Sequence, residues 1–377
     1  MSMEPFADLP DALVRDLLAK AVPVAEGVSQ NFQALRDAHA LLHTEARNHS
    51  LICRKADLDV PREPSVVGVD GSYQVHRLTA LDLCAAAAIA VEGTSKEAVR
   101  HWPEPYHDMW VDGLPHHIDT VGVLRGMMVS MEIALAAHAP HDLVLLDGSF
   151  SSLIIYLNQA FTKIDGCAKA LADDFLERWS SDMLERLKGL LTSDRTVAMP
   201  KFTSRNEFLR GNMLNPPVIV DGKTLATMIL NPGEYTRPLP LHDEADPASQ
   251  QADHLPEKYC PKKDMDKIVE ALNGMSVIYF RPYGWLPALR MELTSTITAS
   301  NTRLSIVLEG VSRQFFSPAV MEPYPLFLAD RMVKSLGSGV AGIEQAVAQH
   351  VSGSSPNIDN TLLFLQNYRT EGGRGGV

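Results

Sequence analysis

Apolar residues recur at two different periods along this chain. Over residues 9–59 the period is helical: Leu13, Val14, Leu17, Leu18 and Val22, then Phe32, Leu35, Ala38 and Leu42. Such spacing puts one apolar stripe on a helix and predicts a helical N-terminal arm. Two short unbroken runs follow, Val66-Val67-Gly68-Val69 and Leu143-Val144-Leu145-Leu146, and each reads as a buried strand. A run over about 79–91, Ala-rich at 85–90, fits helix or strand, and its place after the first strand favours strand. Residues 118–138 read as a helix that Asp119 or Thr120 can cap and Pro140 stops. A long helical region is expected over 152–191, interrupted at Gly166, with short strands and turns over 197–230. Residues 236–266 are polar and contain proline, as an exposed insertion or mobile loop does. Strands are expected at 275–281 and 304–308, helices at 325–336 and 342–351, and a disordered Gly-rich end at 371–377.

Both strand runs end in the same tripeptide, Asp70-Gly71-Ser72 and Asp147-Gly148-Ser149. A carboxylate is therefore expected at the end of each core strand, with the glycines turning the chain away and leaving room beside it. Two such strands side by side hold a pair of carboxylates on one rigid edge. Hard divalent cations such as Mg²⁺ and Mn²⁺ take oxygen ligands of this kind. The alternative reading is ordinary Asp-Gly-Ser turn chemistry. On the helix over 118–138, Glu132 shares a face with Met128, Met131 and Leu135. An acid in that company is expected to be buried, and so paired or metal-bound.

Composition narrows the class. The chain has 377 residues, 45% hydrophobic and 21% charged, enough for one large domain or two modest ones with ample core. Neither a signal peptide nor a window of ~18 unbroken apolar residues is visible, so a cytoplasmic protein without a membrane partner is expected. Cys53, Cys84, Cys167 and Cys260 lie far apart, which removes a CxxC zinc half-site and suits a reducing compartment. The one adjacent histidine pair, His116-His117, lacks partners at metal spacing and reads as loop. A net charge of −12 argues against nucleic-acid binding by bulk charge, although 34 Lys and Arg could still line a groove.

The acids come in a set order: strand with Asp70, further strands, helix with Glu132, strand with Asp147, and much later a helix with Asp330. This order matches an RNase H-like α/β fold, a mixed central sheet flanked by helices, here with an N-terminal helical arm and insertions. More narrowly, the chain resembles the NurA family of DNA repair nucleases. The motifs that carry the resemblance are Val69-Asp70-Gly71-Ser72-Tyr73, Glu132 on its helix, and Leu145-Leu146-Asp147-Gly148-Ser149. After them come Pro200-Lys201-Phe202-Thr203-Ser204, Tyr279-Phe280-Arg281-Pro282, Leu289-Arg290-Met291-Glu292, and Glu322-Pro323-Tyr324-Pro325-Leu326-Phe327-Leu328-Ala329-Asp330. The family's last motif often has Tyr where Glu322 stands and His where Asp330 stands. On this basis 1–60 is the arm, 61–355 the NurA-like nuclease domain and 356–377 a tail.

The resemblance implies a two-metal phosphodiesterase with Mn²⁺ or Mg²⁺ held by Asp70, Glu132, Asp147 and Asp330, Asp70 being the candidate bridge. It implies single-strand endonuclease and 5′-to-3′ exonuclease activity in DNA end resection and double-strand break repair. A homodimer fed with DNA by a hexameric HerA-type ATPase is implied as well. The chain has no Gly-x-x-x-x-Gly-Lys-Ser/Thr loop with which to supply that ATPase itself. Two other readings stand beside this one: a non-catalytic assembly subunit, suggested by Glu322 and Asp330, and a two-metal nuclease acting on RNA. Lys201 is a candidate for binding the scissile phosphate or orienting water. Arg281 fits either a backbone phosphate contact or a structural donor. Arg290 and Glu292, two apart on a strand, suggest a local ion pair. Tyr73, Phe150, Tyr283 and Trp285 are candidates for base stacking, and the first two could instead wedge their turns against the core. Glu322 is either an extra outer acid or a surface residue.

Overall fold

The computed structural model describes residues 6, 9–59, 61–95, 100–203, 205–208, 213–242, 254–354 and 363–366. Its centre is one mixed sheet of ten strands: β1 (Ile52–Arg54), β2 (Val66–Arg77), β3 (Asp82–Glu92), β4 (Tyr106–Leu114), β5 (Leu143–Asp147), β6 (Thr196–Met199), β7 (Glu234–Thr236), β8 (Leu239–Pro240), β9 (Ser276–Arg281) and β10 (Leu289–Leu293). The strand order is β1-β7-β9-β10-β6-β5-β2-β3-β4, with β8 also pairing to β9. The parallel pairs are β2 with β5 and β5 with β6. An antiparallel β2-β3-β4 meander followed by the parallel β5 and β6 is the RNase H-like arrangement, extended here by five more strands on one side.

The alternation of side chains along each strand sorts the core into two layers. Val67, Val69, Val144, Leu146 and Ala198 face one way and pack with α2 (Thr120–His138), α3 (Phe150–Lys163), α4 (Lys169–Arg178) and α5 (Ser181–Leu191). Val66, Leu143, Leu145, Val197, Met199, Met291 and Leu293 face the other way. They meet Leu304, Val307, Leu308 and Val311, and Leu326. Helix α2 is long and apolar enough to cross a membrane by length and composition, yet it is a core helix with most of its length buried.

Several expectations are corrected. The arm helix, α1 (Asp11–Asn48), stops before residue 59 and leads into β1. The region 152–191 is three helices: it breaks at Gly166, between α3 and α4, as expected, and a second time at Trp179 and Ser180, between α4 and α5. Residues 304–308 form no strand: they lie inside a helix (Asn301–Ser312) whose first turn is capped by the Ser300 side chain. There Leu304, Val307, Leu308 and Val311 are buried at helical spacing, a pattern that a five-residue apolar window cannot distinguish from a strand. Strand β4, half polar, carries no apolar run and was not expected. Of 236–266, residues 243–253 lie outside the described ones. Its flanks belong to the fold, with Leu239, Leu241, Leu255 and Cys260 buried and a helix starting at Lys262. The expected disorder at 371–377 also lies outside the described residues. Within 356–377, Phe364 and Gln366 carbonyls accept hydrogen bonds from Ala80 and Thr79 at the β2–β3 turn.

Candidate active site

The first Asp-Gly-Ser does not end its strand. Asp70 is the fifth residue of β2, which runs on to Arg77 because β3 pairs with it along almost its whole length. On its other side β2 loses its partner at this point: β5 pairs as far as Val69↔Leu146. Asp70 and Asp147 are therefore the next neighbours beyond the last paired rung, on strands roughly 4.8 Å apart. Asp147 does end its strand, and Gly148 turns the chain with φ +86°. The two glycines thus differ in purpose. Gly71 supplies space, since a Cβ there would lie 2.4 Å from Glu132 Oε1 and 2.7 Å from Met128 Cγ.

Asp330 arrives on the helix Tyr324–Lys334, whose start lies directly on β2: a Cβ on Gly68 would sit 2.6 Å from the Leu326 backbone nitrogen. Asp70, Asp147 and Asp330 consequently share one face of the sheet, and one oxygen of each falls within 4.8 Å of the others. Glu132 comes from α2 on the opposite face and packs beside Gly71, outside that group of three. Three of the four expected acids are brought together, and the fourth stands behind the strand.

This crowding costs energy in charged form. Burial, then the Asp147 charge, pushes Asp70 up to about 8, even though its Oδ1 accepts the Gly71 N–H at 2.8 Å. Burial, then Asp70 and Asp147, drives Glu132 well above the usual carboxylate range. Lys201, just past β6, answers part of this charge: its Nζ is 3.0 Å from Asp147 Oδ2, from Glu322 Oε2 and from Asp330 Oδ1. Burial works against the Lys201 cation, but Asp147, Asp330 and Glu322 hold it above the ordinary lysine range. Burial likewise raises Asp330, and hydrogen bonds from Lys334 and Lys201 more than offset it, leaving the carboxyl below its usual range. Glu322 is therefore a member of the charged cluster through Lys201.

A hard, acidic, oxygen-only donor set with two carboxyls destabilised as anions fits a divalent cation. The remaining candidates sort differently. Arg281 donates to the carbonyls of Thr227, Leu230, Gly284 and Leu286 and is a structural donor. Phe150 is fully buried, and the Tyr73 hydroxyl accepts from Arg125 at 2.8 Å. Tyr283 and Trp285 stack with centroids 5.1 Å apart, the indole 40% exposed. Phe202, next to Lys201, is 95% exposed and is a further stacking candidate, signalled in the sequence by its place in the Pro-Lys-Phe-Thr-Ser motif. Arg290 and Glu292 do pair, at 2.5 Å. Their further partners, Glu207, Ser149 and Phe150, left no local trace in the sequence.

Comparison with known families decides the relationship. The family model described as the NurA domain matches residues 64–335. The chain belongs to the NurA family. Among solved structures, the NurA nuclease from Sulfolobus solfataricus is 12% identical with a TM-score of 0.59, covering 91% of this chain and 98% of that one. A NurA structure with manganese is 13% identical with a TM-score of 0.50, covering 90% and 99%. At such identity these neighbours establish the fold. No curated protein matches the chain in sequence. NurA-family membership and the acidic group at the sheet edge together support a metal-dependent nuclease.

Proposed function

We propose that this NurA-family chain hydrolyses DNA phosphodiesters as a single-strand endonuclease and 5′-to-3′ exonuclease in end resection, using Mn²⁺ or Mg²⁺. The observation that carries this reading is the convergence of Asp70, Asp147 and Asp330 oxygens within 4.8 Å on one edge of a rigid sheet. When bound, divalent ions supply Lewis acidity at phosphorus and lower the pKa of the attacking water. Asp70, central among the acids, is the proposed shared ligand, with Asp147 and Asp330 flanking it and Glu132 on the far side of Gly71. Lys201 holds positive charge beside the acids, where it can meet a phosphate oxygen.

A DNA-delivering partner, a hexameric HerA-type ATPase, suits a chain whose net charge of −12 gives it little bulk attraction for DNA. Self-association is supported by α1. Leu35, Leu42 and Ala46 on its C-terminal half are buried, while Leu13, Leu17, Leu18, Val22, Val24, Val28 and Phe32 on the preceding turns are exposed. An apolar stripe of that length on a helix extending from its body marks a docking face. The proposed occupant is a second copy of the chain. Light scattering of the wild type against Leu17→Glu/Val28→Glu tests it, and a monomeric wild type rules it out.

The deciding experiment is cleavage of labelled single-stranded DNA, and in parallel RNA, with Mn²⁺, Mg²⁺ or EDTA, comparing the wild type with Asp70→Ala. Metal-dependent cutting that disappears in the variant is the expected result. A wild type that cuts nothing, even with a HerA-type partner and ATP, points instead to an assembly subunit.

A further inference from the structure

A second, fully buried charge cluster lies under the acidic site, on the opposite face of the sheet. Glu292 of β10 has no exposed surface, and its carboxylate meets only donors. The Ser149 hydroxyl donates to its two oxygens at 2.8 and 3.0 Å, the Phe150 N–H donates at 3.0 Å, and Arg290 donates at 2.5 Å. Arg290, 2% exposed, reaches on to Glu207 at 2.8 Å, and Glu207 also accepts the Tyr279 hydroxyl.

Ser149 and Phe150 are the first residues after the Asp147-Gly148 turn, where α3 begins. Ser149 is the N-cap of α3, yet its side chain caps no backbone N–H of that helix. Glu292 does so from another strand, placing an anion at the helix N-terminus, where the unpaired N–H groups and the helix dipole favour it. The turn at Gly148, with φ +86°, is all that separates Asp147 from this anchor. Asp147 itself is held by the Gly148 N–H at 3.0 Å and by Lys201.

We propose that Glu292 is a positioning residue for Asp147: it fixes the first turn of α3 and through it the direction of the Asp147 carboxylate. This rests on the metal-nuclease reading of the site. Outer partners that orient a ligating group typically change metal affinity ten- to a hundredfold when lost. A glutamine at 292 keeps one acceptor, but it removes the charge that pairs with Arg290, and its NH₂ must either face a donor at Phe150 or Arg290 or make the Ser149 hydroxyl turn to accept it. Glu207 shares the same buried network without touching the turn, so it separates positioning from plain structural support.

The test is calorimetric titration of MnCl₂ into the full chain as wild type, Glu292→Gln, Glu207→Gln and Ser149→Ala, alongside circular dichroism and Tm. Glu292→Gln is expected to stay folded and bind Mn²⁺ about tenfold more weakly. Glu207→Gln is expected to lose Tm while its affinity stays within about twofold of the wild type. Ser149→Ala, which leaves the charges intact, is expected to weaken binding in the same direction as Glu292→Gln, and it carries the test alone should the glutamine variant not fold. Unchanged affinity in Glu292→Gln or Ser149→Ala, or equal losses in the 292 and 207 variants, overturns the proposal. A wild type that binds no Mn²⁺ removes the metal reading itself, an outcome distinct from wild-type binding that the variants leave unaltered.

Discussion

Lys201 Nζ and Asp330 Oδ1 lie 3.0 Å apart across 129 residues of sequence, and the same ammonium touches Asp147 and Glu322 at equal distance. One cation thus sits against two of the three converging acids. Replacing it with methionine removes the cation that Asp147 and Asp330 share, and leaves Asp330 only Lys334. Lys201→Met is therefore expected to lower Tm in EDTA, and the rise in Tm on adding Mn²⁺ should exceed that of the wild type, because the ion then supplies all of the missing positive charge. Thermal melts of both proteins with and without Mn²⁺ check this. An equal metal-induced rise in both would show that Lys201 contributes nothing to balancing the acids.

The pH dependence follows from Asp70. Its ordinary value of 3.8 is raised to about 8 in the folded protein, by burial first and then by Asp147. An acid raised on folding favours the native state most when protonated, and that contribution fades as pH rises from about 4 through 8. Asp70→Asn should therefore be more stable than the wild type in EDTA, with a gap that widens from about pH 5 to about pH 8 and then levels. Each kcal/mol of gain corresponds to about 2–4 °C in Tm for a domain of a few hundred residues. A gap that is constant or shrinks with pH contradicts the assignment.

Metal binding has the complementary sign. A ligand must be deprotonated to bind, so Mn²⁺ must displace the Asp70 proton at any pH below about 8. Calorimetry should show affinity rising by up to about tenfold per pH unit below that value, with proton release that depends on the buffer, and flattening above it. Asp70→Ala and Asp147→Ala should each abolish cleavage while folding normally, since removing a crowded carboxylate relieves repulsion. Wild-type cutting by either would place the chemistry elsewhere.

How far the sequence disclosed this site depends on the range of the interactions involved. Asp70 and Asp147 were legible because an apolar strand run followed by Asp-Gly is a local signal. Gly71 leaves the room expected beside the strand but does not turn the chain, and what fills that room is Glu132, 61 positions away in the chain. Asp330 was legible only by resemblance to a family motif: what seats it is the contact of Gly68 with the Leu326 backbone, which no local period reports. The pairing of Arg290 with Glu292 follows from alternation along one strand, whereas their contacts to Glu207 and Ser149 span 83 and 143 positions. The helix over Leu304 and Val307 was hidden because a five-residue window, apolar except at Ser305, is too short to separate the two periods.

Asp330→His tests how the last ligand is chosen here. It restores the residue that the family often carries at this position, and an imidazole nitrogen can ligate Mn²⁺. The substitution also removes the acceptor that Lys201 and Lys334 share. Measurable Mn²⁺-dependent cleavage is expected, with Mg²⁺ supporting less of it than in the wild type because Mg²⁺ prefers oxygen. A folded but inactive variant would show that the geometry is built around a carboxylate.

Gly71→Ala tests the remaining acid without altering any charge. The new Cβ would meet Glu132 Oε1 at 2.4 Å and Met128 Cγ at 2.7 Å, so both side chains have to move. Met128 is flexible and can shift within the core at small cost. Glu132 is buried beside Asp70, and its displacement moves a carboxyl relative to the acid cluster. The neighbouring backbone of β2 keeps its pairing with β3, so the fold should survive with a Tm within a few degrees of the wild type. Cleavage should fall at least about tenfold if the Glu132 position matters, since a misplacement near 1 Å suffices for larger losses. Full activity in a protein whose Glu132 has demonstrably moved would remove Glu132 from the site and leave the three clustered aspartates as its whole acidic complement.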